Sequence, residues 1–131
     1  MDVKLLKMQA ESVVEEFKQR FPGRNIVMLP AENPTEIICE IEPTEEHPDY
    51  SIALAVVDRS EPHHHEKSVE TYLIEEGTLI LHVEDEQIIL KEGDTYVVNP
   101  TSVHWAEGNA THVRVESRPG WAVEDHVLVK P

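Results

Sequence analysis

The residues best suited to chemistry lie in the run His63-His64-His65-Glu66-Lys67-Ser68-Val69-Glu70 and, further along, at His104. In an extended chain, residues two apart project from the same face, so His63 and His65 point together and His64 points away. Glu70 opens the next strand-like run, and a tight bend between would turn its carboxylate toward the two imidazoles. Two histidines and one carboxylate form a facial ligand set that suits Fe(II) and related divalent metals. His104 follows the turn-like stretch Asn99-Pro100-Thr101-Ser102-Val103 and could supply a fourth ligand. Four ligands would leave one or two coordination positions for water, substrate or dioxygen. Taken singly, each signal is ordinary. Three consecutive histidines could form an exposed loop, and a glutamate is usually solvated. The combined spacing carries the signal.

These side chains need a scaffold. Val3, Leu6, Ala10, Val13, Val14, Phe17 and Phe21 recur at three- and four-residue steps, which predicts an amphipathic helix ended by Pro22-Gly23. The N-terminal helix occupies 1–24 in this reading, packed on a β-barrel domain of 25–131. Strand-like runs follow at 26–29, 36–41, 50–57, 69–74, 78–83, 87–90, 95–98, 112–115 and 126–129. Turn signals such as Glu75-Glu76-Gly77, Glu92-Gly93-Asp94 and Asn99-Pro100 separate them. Many short strands with frequent turns predict an all-β sandwich or barrel.

The order and spacing resemble the two motifs of the cupin family. The first, His-x-His, four residues, Glu, six residues, Gly, is met by His63, His65, Glu70 and Gly77. The second runs here through Gly93-Asp94, Pro100-Thr101-Ser102-Val103-His104 and Asn109. Ser102 stands in the turn where the family usually has glycine, and Asn109 falls one residue later than the commonest spacing. The resemblance implies a double-stranded β-helix, or jelly-roll barrel, with a metal inside one end and His63, His65, Glu70 and His104 as ligands. It implies one divalent transition metal per chain, iron first, with Mn, Ni or Zn as alternatives. It also implies a homodimer. Cupins include dioxygenases, isomerases, decarboxylases and non-catalytic sensors, so the family does not fix the reaction. The leading expectation is a metal-dependent enzyme of dioxygenase or sugar-isomerase type acting on a small molecule inside the barrel. The alternative is a module that binds or senses a small ligand without turning it over.

Other residues carry weaker signals. Tyr72 shares the face of Glu70 and is the candidate catalytic residue, its phenol able to bond a substrate or act as an acid. Trp105 should face away from His104, and Trp121 sits in a turn able to cover the barrel mouth. Arg114 could clamp a substrate carboxylate, although a surface salt bridge is the commoner fate. Cys39 reads as a buried small hydrophobe. One of His47, His82, His112 and His126 could orient a metal ligand.

Acidic residues number 26 against 11 Lys and Arg, a formal charge of −15, which opposes binding to nucleic acid or an anionic membrane. The acidity concentrated at 32–49 reads as a solvated surface. No run approaches the ~18 apolar residues of a membrane span. The single cysteine and the absence of a signal-like N-terminus point to the cytoplasm.

Overall fold

The computed structural model describes residues 5–129; Val3 lies outside them, as does the Leu6 side chain. Helix α1 spans Leu5–Arg20. Ten strands follow among the described residues: β1 (Asn25–Leu29), β2 (Glu36–Glu42), β3 (Ser51–Arg59), β4 (His63–His65), β5 (Val69–Glu76), β6 (Thr78–Val83), β7 (Glu86–Lys91), β8 (Thr95–Val98), β9 (His104–Arg118) and β10 (His126–Leu128). All strand pairs are antiparallel. The expected all-β jelly-roll architecture with an N-terminal helix is what the chain adopts.

The long strand β9 organises the barrel. Its first residues pair with β6, from Val83 against His104 to Ile80 against Glu107, and with β4, His63 against His104. From Thr111 onward it pairs with β3 on one side and β5 on the other. One layer therefore runs β1-β2-β3-β9-β5-β8, and the other runs β7-β6-β9-β4-β10. The sequence reading places a strand only at 112–115 here. The strand instead passes through Gly108-Asn109-Ala110 as well. A Cβ on Gly108 would lie 2.8 Å from the Val57 carbonyl oxygen and 2.4 Å from Thr111 Oγ1, so glycine is what the close approach requires. Ala110 takes a left-handed φ of 51°, and its N–H donates to Asp58 Oδ1 at 2.7 Å.

Alternation gives the sheet two apolar faces. Ile37, Cys39, Leu54 and Val56 face Val13 and Phe17 of α1. Burying Phe17 and Val13 contributes about 1.5–3 kcal/mol each, which holds the helix against the barrel. Ala55, Val57, Ile74, Leu79, Leu81 and Val113 belong to the second cluster, inside the barrel.

Candidate metal centre

Strand alternation is visible directly in β4. His63 and His65 are buried, while His64 is half-buried and its Nε2 lies 2.8 Å from Glu66 Oε1. Glu70, near the start of β5, is 5 % exposed, and His104, the first residue of β9, is fully buried. The four side chains converge as the spacing predicted. One ligand atom from each lies within 4.8 Å of every other.

Backbone carbonyls fix how two of the imidazoles are presented. His63 Nδ1 donates to the Glu61 carbonyl at 2.7 Å, and His104 Nδ1 donates to the Ser102 carbonyl at 2.9 Å. Each ring then turns Nε2 inward as an electron-pair donor. His104 Nε2 lies 3.0 Å from Glu70 Oε1, and His65 Nε2 lies 3.2 Å from the same oxygen. Acceptors facing one another this closely repel unless a proton or a cation sits among them. Both ring nitrogens of His65 are buried without a hydrogen-bond partner, so its contact with Glu70 is close but not aligned as a hydrogen bond. A buried imidazole with no hydrogen-bond partner beside a carboxylate is a donor suited to a metal ion.

The electrostatics agree. Burial alone would raise the Glu70 pKa, but His104 and His65 outweigh it and hold the carboxyl well below the usual range. Burial pushes the His63 pKa down to about 3, with His104 adding to the effect, which keeps its nitrogen free to bind. The group could bind a metal, and its three nitrogens and one carboxylate suit a divalent transition ion.

Neighbouring elements hold the four side chains in place. Thr101, in a left-handed conformation at φ 71°, donates its N–H to the His65 carbonyl at 2.6 Å and anchors the turn before His104. The special backbone position of that turn is thus Thr101 rather than Ser102. Ser117 Oγ donates to Glu70 Oε2 at 3.4 Å. Asp125 accepts N–H bonds from Glu66, Lys67 and Ser68, the residues between His65 and Val69.

A cavity of about 800 Å³ opens beside the centre, with His63, Glu70 and Tyr72 in its wall. Tyr72 is 8 % exposed, its ring stands edge-on to His104 at 6.2 Å, and its hydroxyl makes no hydrogen bond with the described residues. Burial, and then the charges of Glu70 and Glu36, push its pKa well above the ordinary value, so it stays a proton donor. Of the four extra histidines, His126 is the one at the site. It stacks on His63 at 4.4 Å and lines the cavity, and its Nδ1 is buried without a partner. His47 and His82 bond to Glu42 and Glu107 instead, and His112 Nδ1 donates to the Ala110 carbonyl at 3.1 Å. Trp105 stacks on His82 at 3.8 Å, and Trp121 lines the cavity while 37 % exposed.

Two expectations need correction. Arg114 neither lines the cavity nor forms an ion pair among the described residues, because its neighbours Val113 and Val115 take the inward positions on β9. The acidic stretch at 32–49 is not wholly a solvated surface, since Glu36, Glu40 and Glu42 line the cavity. The alternation in Glu36-Ile37-Ile38-Cys39-Glu40 carried that information, but the run of negative charge masked it.

The Cupin_2 family model, described as a cupin domain, matches residues 50–116, slightly more than half of the chain. The chain belongs to the cupin family. Comparison with curated protein sequences finds no match. Among solved structures, this cupin is similar to Pac13 of Streptomyces, a nucleoside dehydratase. The two share 13 % identity and a TM-score of 0.73, over 84 % of this chain and 88 % of the other. It is also similar to KdgF from a Halomonas species, at 20 % identity and TM-score 0.61, over 72 % and 87 % of the two chains. Ectoine synthase from P. lautus follows at 15 % identity and TM-score 0.59, over 74 % and 78 %. These likenesses establish the fold that this cupin shares with them.

Proposed function

We propose that this cupin is a metal-dependent enzyme of the dioxygenase or isomerase type that acts on a small molecule held in the barrel. One observation carries the reading: His63 and Glu70 stand in the wall of the cavity, so the face of the centre not covered by protein looks into space where a substrate fits. His63, His65, Glu70 and His104 would hold one divalent ion, iron first and Mn, Ni or Zn as alternatives. Such an ion supplies Lewis acidity toward a substrate oxygen and, where it is iron, a means of engaging dioxygen. The chain's own residues do the rest. Ser117 orients the Glu70 carboxylate, and the Tyr72 hydroxyl offers a hydrogen bond or a proton to the substrate.

The test is oxygen uptake and product analysis for metal-loaded protein against a panel of neutral, anionic and amine-bearing small molecules. Turnover of one class, lost in Glu70→Gln, is the expected result. A ligand that raises the melting temperature but is recovered unchanged would identify a binding module instead.

The chain is further proposed to pair as a homodimer through the free edge of β1, where Met28 and Leu29 are 38 % and 45 % exposed. Light scattering should then give twice the 14.9 kDa chain mass. The buried, unpaired Cys39 suits the reducing cytoplasm. Among the described residues, no helix is long and apolar enough to cross a membrane.

A further inference from the structure

The inner face of β2 carries charge where a barrel interior is ordinarily apolar. Ile37 and Cys39 are fully buried in the cluster that contains α1, so alternation turns Glu36, Ile38 and Glu40 to the cavity, and all three line it. Beside them on β3 and β9 of the same sheet stand small or aliphatic residues such as Ala53, Ala55 and Val113, which leave room but offer no donor. Among the described residues, neither the Glu36 nor the Glu40 side chain makes an ion pair or a hydrogen bond. Arg59, the cation in the cavity wall, is engaged with Trp105, its guanidinium 4.4 Å from the ring centroid.

Both carboxylates are half-buried, and carboxylates partly withdrawn from bulk water without a partner are costly, so native structures rarely keep them without a use. The isolation of Glu36 shows in its titration: burial, and then the charge of Glu70, push its pKa up to about 7. A second feature points to a ligand independently. The Tyr72 hydroxyl, on a side chain more than nine-tenths buried, is aimed into the same cavity without a hydrogen-bond partner. The cavity therefore presents a hydroxyl at the metal centre and carboxylates along β2. A neutral polyol could bond to both but would leave the carboxylate charge uncompensated, and an anion would be repelled.

We propose that the cavity binds a small molecule bearing a protonated amine, paired with Glu36 and with Glu40 beside it, while its oxygen functions face Tyr72 and the metal centre. This assignment rests on the reading of the cavity as the substrate site of that centre. Glu36 thereby acts as the residue that sets charge specificity.

The test is calorimetric titration of zinc-loaded protein, its zinc content measured first, with ethanolamine, ethylene glycol and glycolate and their longer homologues. These probes share a hydroxyl and differ in charge. The amine series should bind on the order of tenfold tighter than the glycols and the hydroxy acids at equal chain length. Glu36→Gln should abolish that preference and Glu40→Gln weaken it, with zinc content maintained and the melting temperature no lower than that of the unsubstituted protein. Hydroxy acids binding as tightly as amines to the unsubstituted protein would overturn the proposal, whatever the variants do. So would an amine preference that survives Glu36→Gln, or no binding of any amine. Zinc bound at one per chain alongside such a failure would leave the metal-centre reading standing; absence of zinc would remove both.

Discussion

The Asp125 carboxylate accepts a hydrogen bond from the Ser68 hydroxyl at 3.0 Å, which ties the approach to β10 to the loop between β4 and β5, the strands that carry His65 and Glu70. The same carboxylate takes the N–H groups of Glu66, Lys67 and Ser68 at 3.0, 3.0 and 3.1 Å. One side chain thus fixes the bend that brings Glu70 back to His65. Burial opposes its charge, but the bonds from Ser68, Lys67 and Glu66 prevail and hold its pKa below the ordinary value. Asp125→Ala should cost about 2–4 kcal/mol by leaving those donors unpaired, and should weaken metal binding about tenfold as the bend loosens. Because the folded pKa is depressed, the stabilisation is present above the unfolded value of 3.8 and is lost as pH falls through the folded one. Urea unfolding at pH 7 and below pH 4 checks this: the gap between Asp125→Ala and the unsubstituted protein should narrow in acid.

Glu36 should behave in the opposite sense. Its folded pKa of about 7 lies above the unfolded value of 4.5, so the folded state holds the proton more tightly. The resulting stability is full below the unfolded pKa and disappears as pH rises through the folded one. Metal-free protein should therefore lose roughly 1–3 kcal/mol between pH 4.5 and 8 through this group, with the lower figure allowing for its partial contact with solvent. In Glu36→Gln that slope should be absent, and the variant should be the more stable protein at pH 8. Equal slopes in chemical unfolding would contradict the assignment of Glu36 to a half-buried, unpaired position.

Removing the Tyr72 hydroxyl should separate stability from function. The ring packs in the barrel core, but the oxygen makes no hydrogen bond with the described residues. Tyr72→Phe should change stability by less than about 0.5 kcal/mol, and should weaken ligand binding or turnover about tenfold, the loss of one hydrogen bond. A large fall in melting temperature with unchanged ligand affinity would make Tyr72 a packing residue only.

Among the described residues, the helix is held against the sheet by its apolar face. Phe17 is 3 % exposed and meets Ile37, Cys39, Leu54 and Val56. Phe17→Ala should cost about 3–5 kcal/mol, while metal content per folded chain stays the same. Loss of metal in a variant that remains folded would show that α1 acts on the centre through the sheet.

Much of this was legible because the deciding signals are local. His63, His65 and Glu70 lie within one strand and the bend after it, where period-two alternation sets direction; the bounds of β6 and β8 followed from apolar runs between turn residues. What escaped depends on long-range pairing. The run of β9 through Gly108 depends on the close approach to the Val57 carbonyl, so the continuous strand was hidden. His126 and Asp125 reach the site only because β10 pairs with β4, with His126 opposite His65. Glu36 was lost in an acidic stretch whose composition suggested solvent, although its alternation with Ile37 and Cys39 already placed it on a separate face.

The central claim is that His63, His65, Glu70 and His104 hold one metal ion. Elemental analysis of protein purified without a metal-affinity tag tests it most directly, beside His65→Ala and Glu70→Gln variants shown by circular dichroism to be folded. The account predicts close to one equivalent of iron, manganese, nickel or zinc per chain in the unsubstituted protein and almost none in either variant. No metal after reconstitution, or equal metal in all three proteins, would contradict it.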